Sequence, residues 1–291
     1  MKAKKLNEEY EKEKRKEKLE RKRKKLKDKA KGKSKTELEE EQEKLELKTG
    51  LGKDYGLVFR ASELGTQPVY RTLDGKTSEK IILHADKVFF DKDSNELYFT
   101  SGNSLFQFPN QLIHDYRERT CGIGKFKQEL LVILIDVGRI VDSSGNIKFE
   151  RLNEPIELIE YRGNLYHTEL DGKGLVKTPD ESIAKTGNWT SGLDVLDKLY
   201  FGGQNKKLYS YDGSVREICD IGFPIWTICA VQEQNNKVLY LGGSNKKGIE
   251  ILVLNDNDIK ERKTILENEV SSVASINYAP LSFLERISEV R

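Results

Sequence analysis

Leu199-Tyr200-Phe201-Gly202-Gly203 and Leu239-Tyr240-Leu241-Gly242-Gly243 are two copies of one motif, 40 residues apart. An apolar run opening on tryptophan precedes each: Trp189-Thr190-Ser191-Gly192-Leu193-Asp194-Val195-Leu196 and Trp226-Thr227-Ile228-Cys229-Ala230-Val231. A polar turn follows each motif (Gln204-Asn205-Lys206-Lys207; Ser244-Asn245-Lys246-Lys247), then a further apolar run (Leu208-Tyr209-Ser210-Tyr211; Ile249-Glu250-Ile251-Leu252-Val253). Apolar residues alternating with polar ones predict β-strands. The Gly-Gly pairs are expected to supply the positive-φ backbone of a hairpin, which β-branched residues resist. On this alignment Trp189 and Trp226 occupy equivalent places at the starts of innermost strands.

Weaker copies extend the pattern upstream. Leu97-Tyr98-Phe99-Thr100-Ser101-Gly102 precedes Leu105-Phe106-Gln107-Phe108, giving strand, turn and strand again. Val69-Tyr70-Arg71-Thr72-Leu73-Asp74-Gly75, Asn164-Leu165-Tyr166-His167-Thr168-Glu169-Leu170-Asp171-Gly172 and Leu208-Tyr209-Ser210-Tyr211-Asp212-Gly213 resemble one another. Leu130 to Ile135 supplies a degenerate unit, and Val270 to Ile276 one more opening strand. Turn signals recur every 8–12 residues or so, the spacing of an all-β sandwich, barrel or propeller. A lone four-stranded sheet cannot bury both faces, so repeated units of this kind stack radially. The Leu-Tyr-x-Gly-Gly and Leu-Tyr-x-Tyr-Asp-Gly patterns resemble the β-propeller repeats of the WD40-like, kelch-like and quinoprotein-like superfamilies. That resemblance spans roughly residues 53–280 and is clearest over 185–255. The Gly-His and Trp-Asp signatures of true WD40 repeats are missing, so no single family is assigned. At about 40 residues per blade, the resemblance implies one propeller over 49–291 with six blades, within a range of five to seven.

Residues 1–48 are of another kind. The whole chain of 291 residues carries 50 Lys+Arg against 48 Asp+Glu, but the balance is an average of unlike parts. Residues 1–35 hold 18 basic and 7 acidic side chains, net +11; residues 36–48 are net −4, and the remaining 243 residues net −5. The arm has too few large apolar residues for a core. Its Lys, Glu, Arg and Leu content favours a helix, and Glu8–Lys12, Glu11–Arg15, Glu17–Arg21, Glu20–Lys24 and Glu40–Lys44 have favourable i,i+4 spacing. Leu19/Leu26 and Leu38/Leu45 are out of register and interrupted by Lys12 and Lys33, so the expectation is a solvated helical or disordered arm. Arg15, Lys16, Arg21, Lys22, Arg23, Lys24, Lys25, Lys29, Lys31 and Lys33 are the candidate polyanion contacts, able to neutralise several phosphates without reading sequence. Tyr10 is the arm's one aromatic residue, which argues against base stacking.

Other chemistry is sparse. No apolar run of 18 residues exists, and the charged Met1-Lys2-Ala3-Lys4-Lys5 opening lacks a signal-peptide core. Three widely spaced cysteines, Cys121, Cys219 and Cys229, form no CxxC site, and a reducing, cytoplasmic setting is expected. His84, His114 and His167 show no metal-ligand spacing. Gly122-Ile123-Gly124-Lys125 lacks the spacing of a phosphate loop and reads as a turn between blades. No cofactor or metal is expected. Trp189 and Trp226 are read either as blade packing or as partner contacts near a channel mouth. The resulting expectation is a non-enzymatic interaction protein with a monomeric propeller body. One propeller face would dock a protein, and the basic arm would hold RNA or a ribonucleoprotein. A protein scaffold whose arm docks on protein, and a hydrolase or lyase with a channel active site, are the alternatives.

Overall fold

The computed structural model describes residues 55–61, 67–74, 76, 78–82, 84–170, 172, 174–233, 235–243, 248–255, 258–266 and 273–286. The arm, with its expected helix and its basic contacts from Arg15 to Lys33, lies outside the described residues. The first strands are β1 (Tyr55–Ala61), β2 (Val69–Thr72) and β3 (Glu79–Ile82). A second sheet follows with β4 (Lys87–Asp91), β5 (Glu96–Ser101), β6 (Ser104–Gln107) and β7 (Gln111–Asp115). The third has β8 (Thr120–Phe126), β9 (Glu129–Leu134), β10 (Arg139–Asp142) and β11 (Ile147–Phe149). The fourth has β12 (Pro155–Tyr161), β13 (Asn164–Glu169), β14 (Leu175–Lys177) and β15 (Glu181–Ala184). The fifth has β16 (Thr190–Val195), β17 (Leu199–Gly203), β18 (Lys207–Tyr211) and β19 (Val215–Asp220). The sixth has β20 (Ile225–Glu233), β21 (Asn236–Gly243), β22 (Ile249–Asn255) and β23 (Asp258–Ile265). The last strand, β24 (Val273–Pro280), returns to pair with β1, and a short helix α1 (Leu281–Arg286) ends the described chain.

Six four-stranded antiparallel sheets result, and in each the strands are hydrogen-bonded in order from inside to outside. Their inner strands close a ring: β4 packs on β8, β8 on β12, β12 on β16, β16 on β20, β20 on β24 and β24 on β4. The first blade takes its innermost strand from the C-terminus, in the order β24-β1-β2-β3. Val58 faces Asn277 and Tyr55 faces Pro280 across that seam. This pairing leaves the ring no open inner edge, and an unpaired edge would be a template for aggregation.

Burial falls from inside to outside. β21 is buried along Val238–Gly243, whereas the outermost β7 and β19 are largely exposed. The core lies between sheets. Tyr200 and Leu208 of the fifth blade pack with Ile225, Ile228, Leu239, Leu241 and Leu252 of the sixth. Each such aliphatic side chain taken from water contributes about 1.5–3 kcal/mol before cavity terms. Polar staples accompany this packing: Lys125 reaches from the third blade to Asp91 and Asp93 of the second, each at 3.0 Å. Lys237 of the sixth blade meets Asp197 of the fifth at 2.7 Å.

Three local expectations are corrected. Gly122-Ile123-Gly124-Lys125 is no turn; it lies within the inner strand β8. The Gly-Gly pairs are not turn residues either, for Gly202-Gly203 and Gly242-Gly243 end strands β17 and β21. They are glycines because of close approach: a Cβ on Gly203 would stand 1.8 Å from the Trp189 carbonyl oxygen, and one on Gly243 1.9 Å from that of Pro224. Finally, the two tryptophans are not equivalent. Thr190 pairs with Gly203 and Gly192 with Gly202, so Ser191 is the bulged residue of the fifth blade. Ile225 pairs with Gly243 and Thr227 with Gly242, which makes Trp226 the bulged residue of the sixth. Trp189 therefore precedes β16, whereas Trp226 lies inside β20.

Candidate functional site

The inner strands bound a central channel, and their registers sort its wall into tiers. Lys87, Gly122, Gly192 and Thr227 stand at one level, opposite Thr100, Ile133, Gly202 and Gly242 of the next strands outward. Two residues on, Phe89, Gly124, Ile159, Asp194, Cys229 and Asn277 form another level. These tiers line a cavity of about 400 Å³ whose wall mixes aliphatic side chains such as Val88, Ile123 and Leu158 with charged ones, Lys87, Lys92, Lys125, Glu157 and Asp194 among them. Small-ligand sites have volumes of about 300–1,000 Å³.

Two polar features cross the channel wall. Lys87 of the second blade forms an ion pair with Glu157 of the fourth, and both side chains are about nine-tenths buried. The blade between them carries Gly122 at this level and offers no side chain. Burial, reinforced by the Arg60 guanidinium, pulls the Lys87 ammonium below its ordinary pKa. The ion pair therefore opposes two effects that favour the neutral amine.

The second feature is a staple used twice. Asn277 Oδ1 accepts from the Phe90 amide at 3.0 Å, and Asn277 Nδ2 donates to the Val88 carbonyl at 2.9 Å. Asp194, in the same tier, accepts from the Ala230 amide at 2.7 Å through Oδ2 and from the Val195 amide at 2.8 Å through Oδ1. Phe90 and Ala230 are themselves equivalent, one residue beyond Phe89 and Cys229. In both cases an inner strand is fastened to the inner strand of the following blade. Asp194 retains some solvent-accessible surface, because the cavity reaches it, yet protein surrounds it on all sides. Burial pushes its carboxyl up to about 6, against the two amide bonds that favour the anion.

At the end where the inner strands begin, the bulge position places Cys121 on the third blade, Ser191 on the fifth and Trp226 on the sixth. Trp226 is half-buried there. Trp189, in the connection that enters β16, is 51% exposed. Its loop is held firmly: Gln204 N donates to the Trp189 carbonyl at 2.9 Å, Gly187 N to the Gly172 carbonyl at 3.2 Å, and Thr186 Oγ1 to the Asn188 carbonyl at 2.7 Å. Both tryptophans therefore lie at the end where the inner strands begin.

The remaining sequence candidates stay apart. His84 stands near Asp86 at 3.9 Å, His114 packs on the Tyr116 ring, and His167 is fully buried between Thr178 and Glu169. Among the described residues no group of His, Cys, Asp and Glu could hold a metal ion. Burial pushes the Cys121 thiol up to about 12, and Cys229 is raised by the same cause. Thiols so raised are poor nucleophiles near neutral pH. The sequence reading missed Lys87, Glu157 and Asp194. Their signal was a single charge inside an apolar inner strand, as in Lys87-Val88-Phe89-Phe90 and Pro155-Ile156-Glu157-Leu158-Ile159.

No family model and no curated protein matches the chain. Among solved structures it is similar to a nidogen/laminin complex, with a TM-score of 0.61 and 14% identity over 77% of this chain and 98% of that one. The WD40 β-propeller domain of Doa1 aligns at TM-score 0.53 and 12% identity, over 78% of this chain and 83% of that one. A putative 6-phosphogluconolactonase from Bacteroides fragilis aligns at 0.51 and 9%, over 78% and 98%. The chain is a six-bladed β-propeller. At these identities the likeness shows the propeller fold alone. Among the described residues no helix is long and apolar enough to cross a membrane.

Proposed function

We propose that this propeller is a non-enzymatic interaction protein that docks a protein partner on the face where its inner strands begin. In the same reading the basic arm holds a polyanion, RNA or a ribonucleoprotein surface. The observation that carries the docking reading is Trp189: a large aromatic side chain left half in water on a loop fixed by backbone hydrogen bonds. Such a preorganised aromatic loses little conformational entropy on binding and is of the type that dominates interface energetics. Within the channel, the side chains of Lys87, Glu157, Asp194 and Asn277 serve contacts between blades. The polyanion reading rests on the sequence of the arm, net +11 over residues 1–35 beside a body of net −5. Together the two attachments would be bivalent, the arm raising the local concentration of the docking face at its target.

Affinity capture of the full-length protein with and without nuclease tests this. Co-purifying proteins should fall sharply on nuclease treatment, because the arm then loses its bridge. Partners unchanged by nuclease would instead favour the scaffold whose arm docks on protein.

A further inference from the structure

Asp194 is a carboxylate in a channel tier that holds no cation. Its companions at that level are Phe89, Gly124, Ile159, Cys229 and Asn277. Lys87, one tier toward the start of the inner strands, is committed to Glu157, and Lys125 to Asp91 and Asp93. Lys92, exposed just beyond the end of β4, is near enough to favour the Asp194 anion. Among the described residues, however, no cation comes within ion-pair distance of Asp194. The cavity lining as a whole carries three lysines against four carboxylates. Nor does the blade-to-blade staple call for an acid, because Asn277 makes the corresponding bond to Phe90 without a charge.

The carboxylate is also open to a ligand. One oxygen accepts from the Ala230 amide at 2.7 Å and the other from the Val195 amide at 2.8 Å. Each oxygen keeps a further acceptor site. The cavity of about 400 Å³ reaches Asp194 and extends past the ends of the inner strands to the exposed Lys92, Asp93 and Gln128. Phe89, Ile159 and Ile228, at or beside the level of the carboxylate, line the same cavity.

We propose that this cavity binds a small organic cation, a primary ammonium with a compact apolar body, whose N–H groups donate to Asp194 and whose body lies against Phe89 and Ile159. The ammonium supplies the countercharge the tier lacks, and an opposite charge nearby stabilises an anion that burial disfavours. A divalent metal ion fits less well. It needs several oxygen ligands, and among the described residues no group of His, Cys, Asp and Glu could hold one. The site stands apart from the docking reading and does not depend on it.

Phenethylamine, protonated near neutral pH, is the probe, and phenethyl alcohol is its uncharged counterpart. Isothermal titration of the full-length protein at neutral pH compares their affinities. The wild type should bind the amine about tenfold or more tightly than the alcohol, as expected for a charge-assisted hydrogen bond. Asp194→Asn, which keeps an acceptor for the Ala230 amide, should bind the two alike. Glu160→Gln, at another carboxylate of the lining, should keep the preference for the amine. Equal affinity of the wild type for amine and alcohol, or no measurable binding of either, would overturn the proposal. So would an amine preference that survives in Asp194→Asn or follows Glu160 instead.

Discussion

Gly203→Ala is expected to destabilise the propeller by about 4 kcal/mol or more, the range reserved for substitutions that force backbone apart. The added Cβ would stand 1.8 Å from the Trp189 carbonyl oxygen and 2.8 Å from the Thr190 Cα, both backbone atoms with nowhere cheap to go. Moving them also breaks the bond by which Gln204 N holds that carbonyl, so the loop presenting Trp189 should loosen together with the fifth blade. Gly243→Ala repeats the experiment one blade on, with its Cβ 1.9 Å from the Pro224 carbonyl oxygen. Gly163→Ala is the control: it sits at φ +73 with nothing within 4 Å, so it should cost only the left-handed backbone penalty of about 1–2 kcal/mol. Urea unfolding midpoints distinguish the two classes. Similar small losses at Gly203 and Gly163 would show that the Leu-Tyr-x-Gly-Gly motif is not held by close approach.

Asp194→Asn is expected to stabilise the protein near neutral pH and to flatten its pH dependence. Burial raises the folded-state carboxyl to about 6, above the ordinary value of 3.8, so the folded chain holds this proton more tightly than the unfolded one. Its contribution to stability is therefore complete below about pH 4 and is lost as the pH rises through about 6. The gap corresponds to at most about 3 kcal/mol, reduced by screening from channel water. Asparagine removes the titration and keeps one acceptor for the Ala230 amide, as Asn277 does for Phe90, while giving up the bond from the Val195 amide. Thermal unfolding from pH 4 to pH 8 should show the variant overtaking the wild type as pH rises. Parallel curves, or a variant weaker at pH 8, would refute the staple assignment.

The fold was legible where its chemistry repeats and obscure where the repeat is carried by geometry. Leu199–Gly203 and Leu239–Gly243 announced themselves because each places a buried Tyr and a Gly pair at the same register of a second strand. The third blade was harder. Gly122 and Gly124 look like turn residues, but they keep β8 free of Cβ atoms that would strike the Ile156 and Leu158 backbone oxygens of the next blade, at 2.2 and 2.8 Å. The offset between Trp189 and Trp226 was hidden because a bulge adds a residue to one strand without any characteristic side chain. Lys87 and Glu157 lie 70 positions apart, and only ring closure brings them together.

The central claim, a docking propeller tethered to a polyanion by its basic arm, is tested most directly by salt-dependent binding of a short labelled RNA. The full-length protein is compared with a full-length variant in which Arg15, Lys16, Arg21, Lys22, Arg23, Lys24 and Lys25 are replaced by glutamine. The wild type should bind at 50 mM salt and lose about two to three orders of magnitude in affinity by 200 mM, as expected when six or more phosphates of a single strand are neutralised. The glutamine variant should bind weakly at both salts while unfolding at the wild-type temperature. Equal binding by the two proteins at both salts would contradict the account.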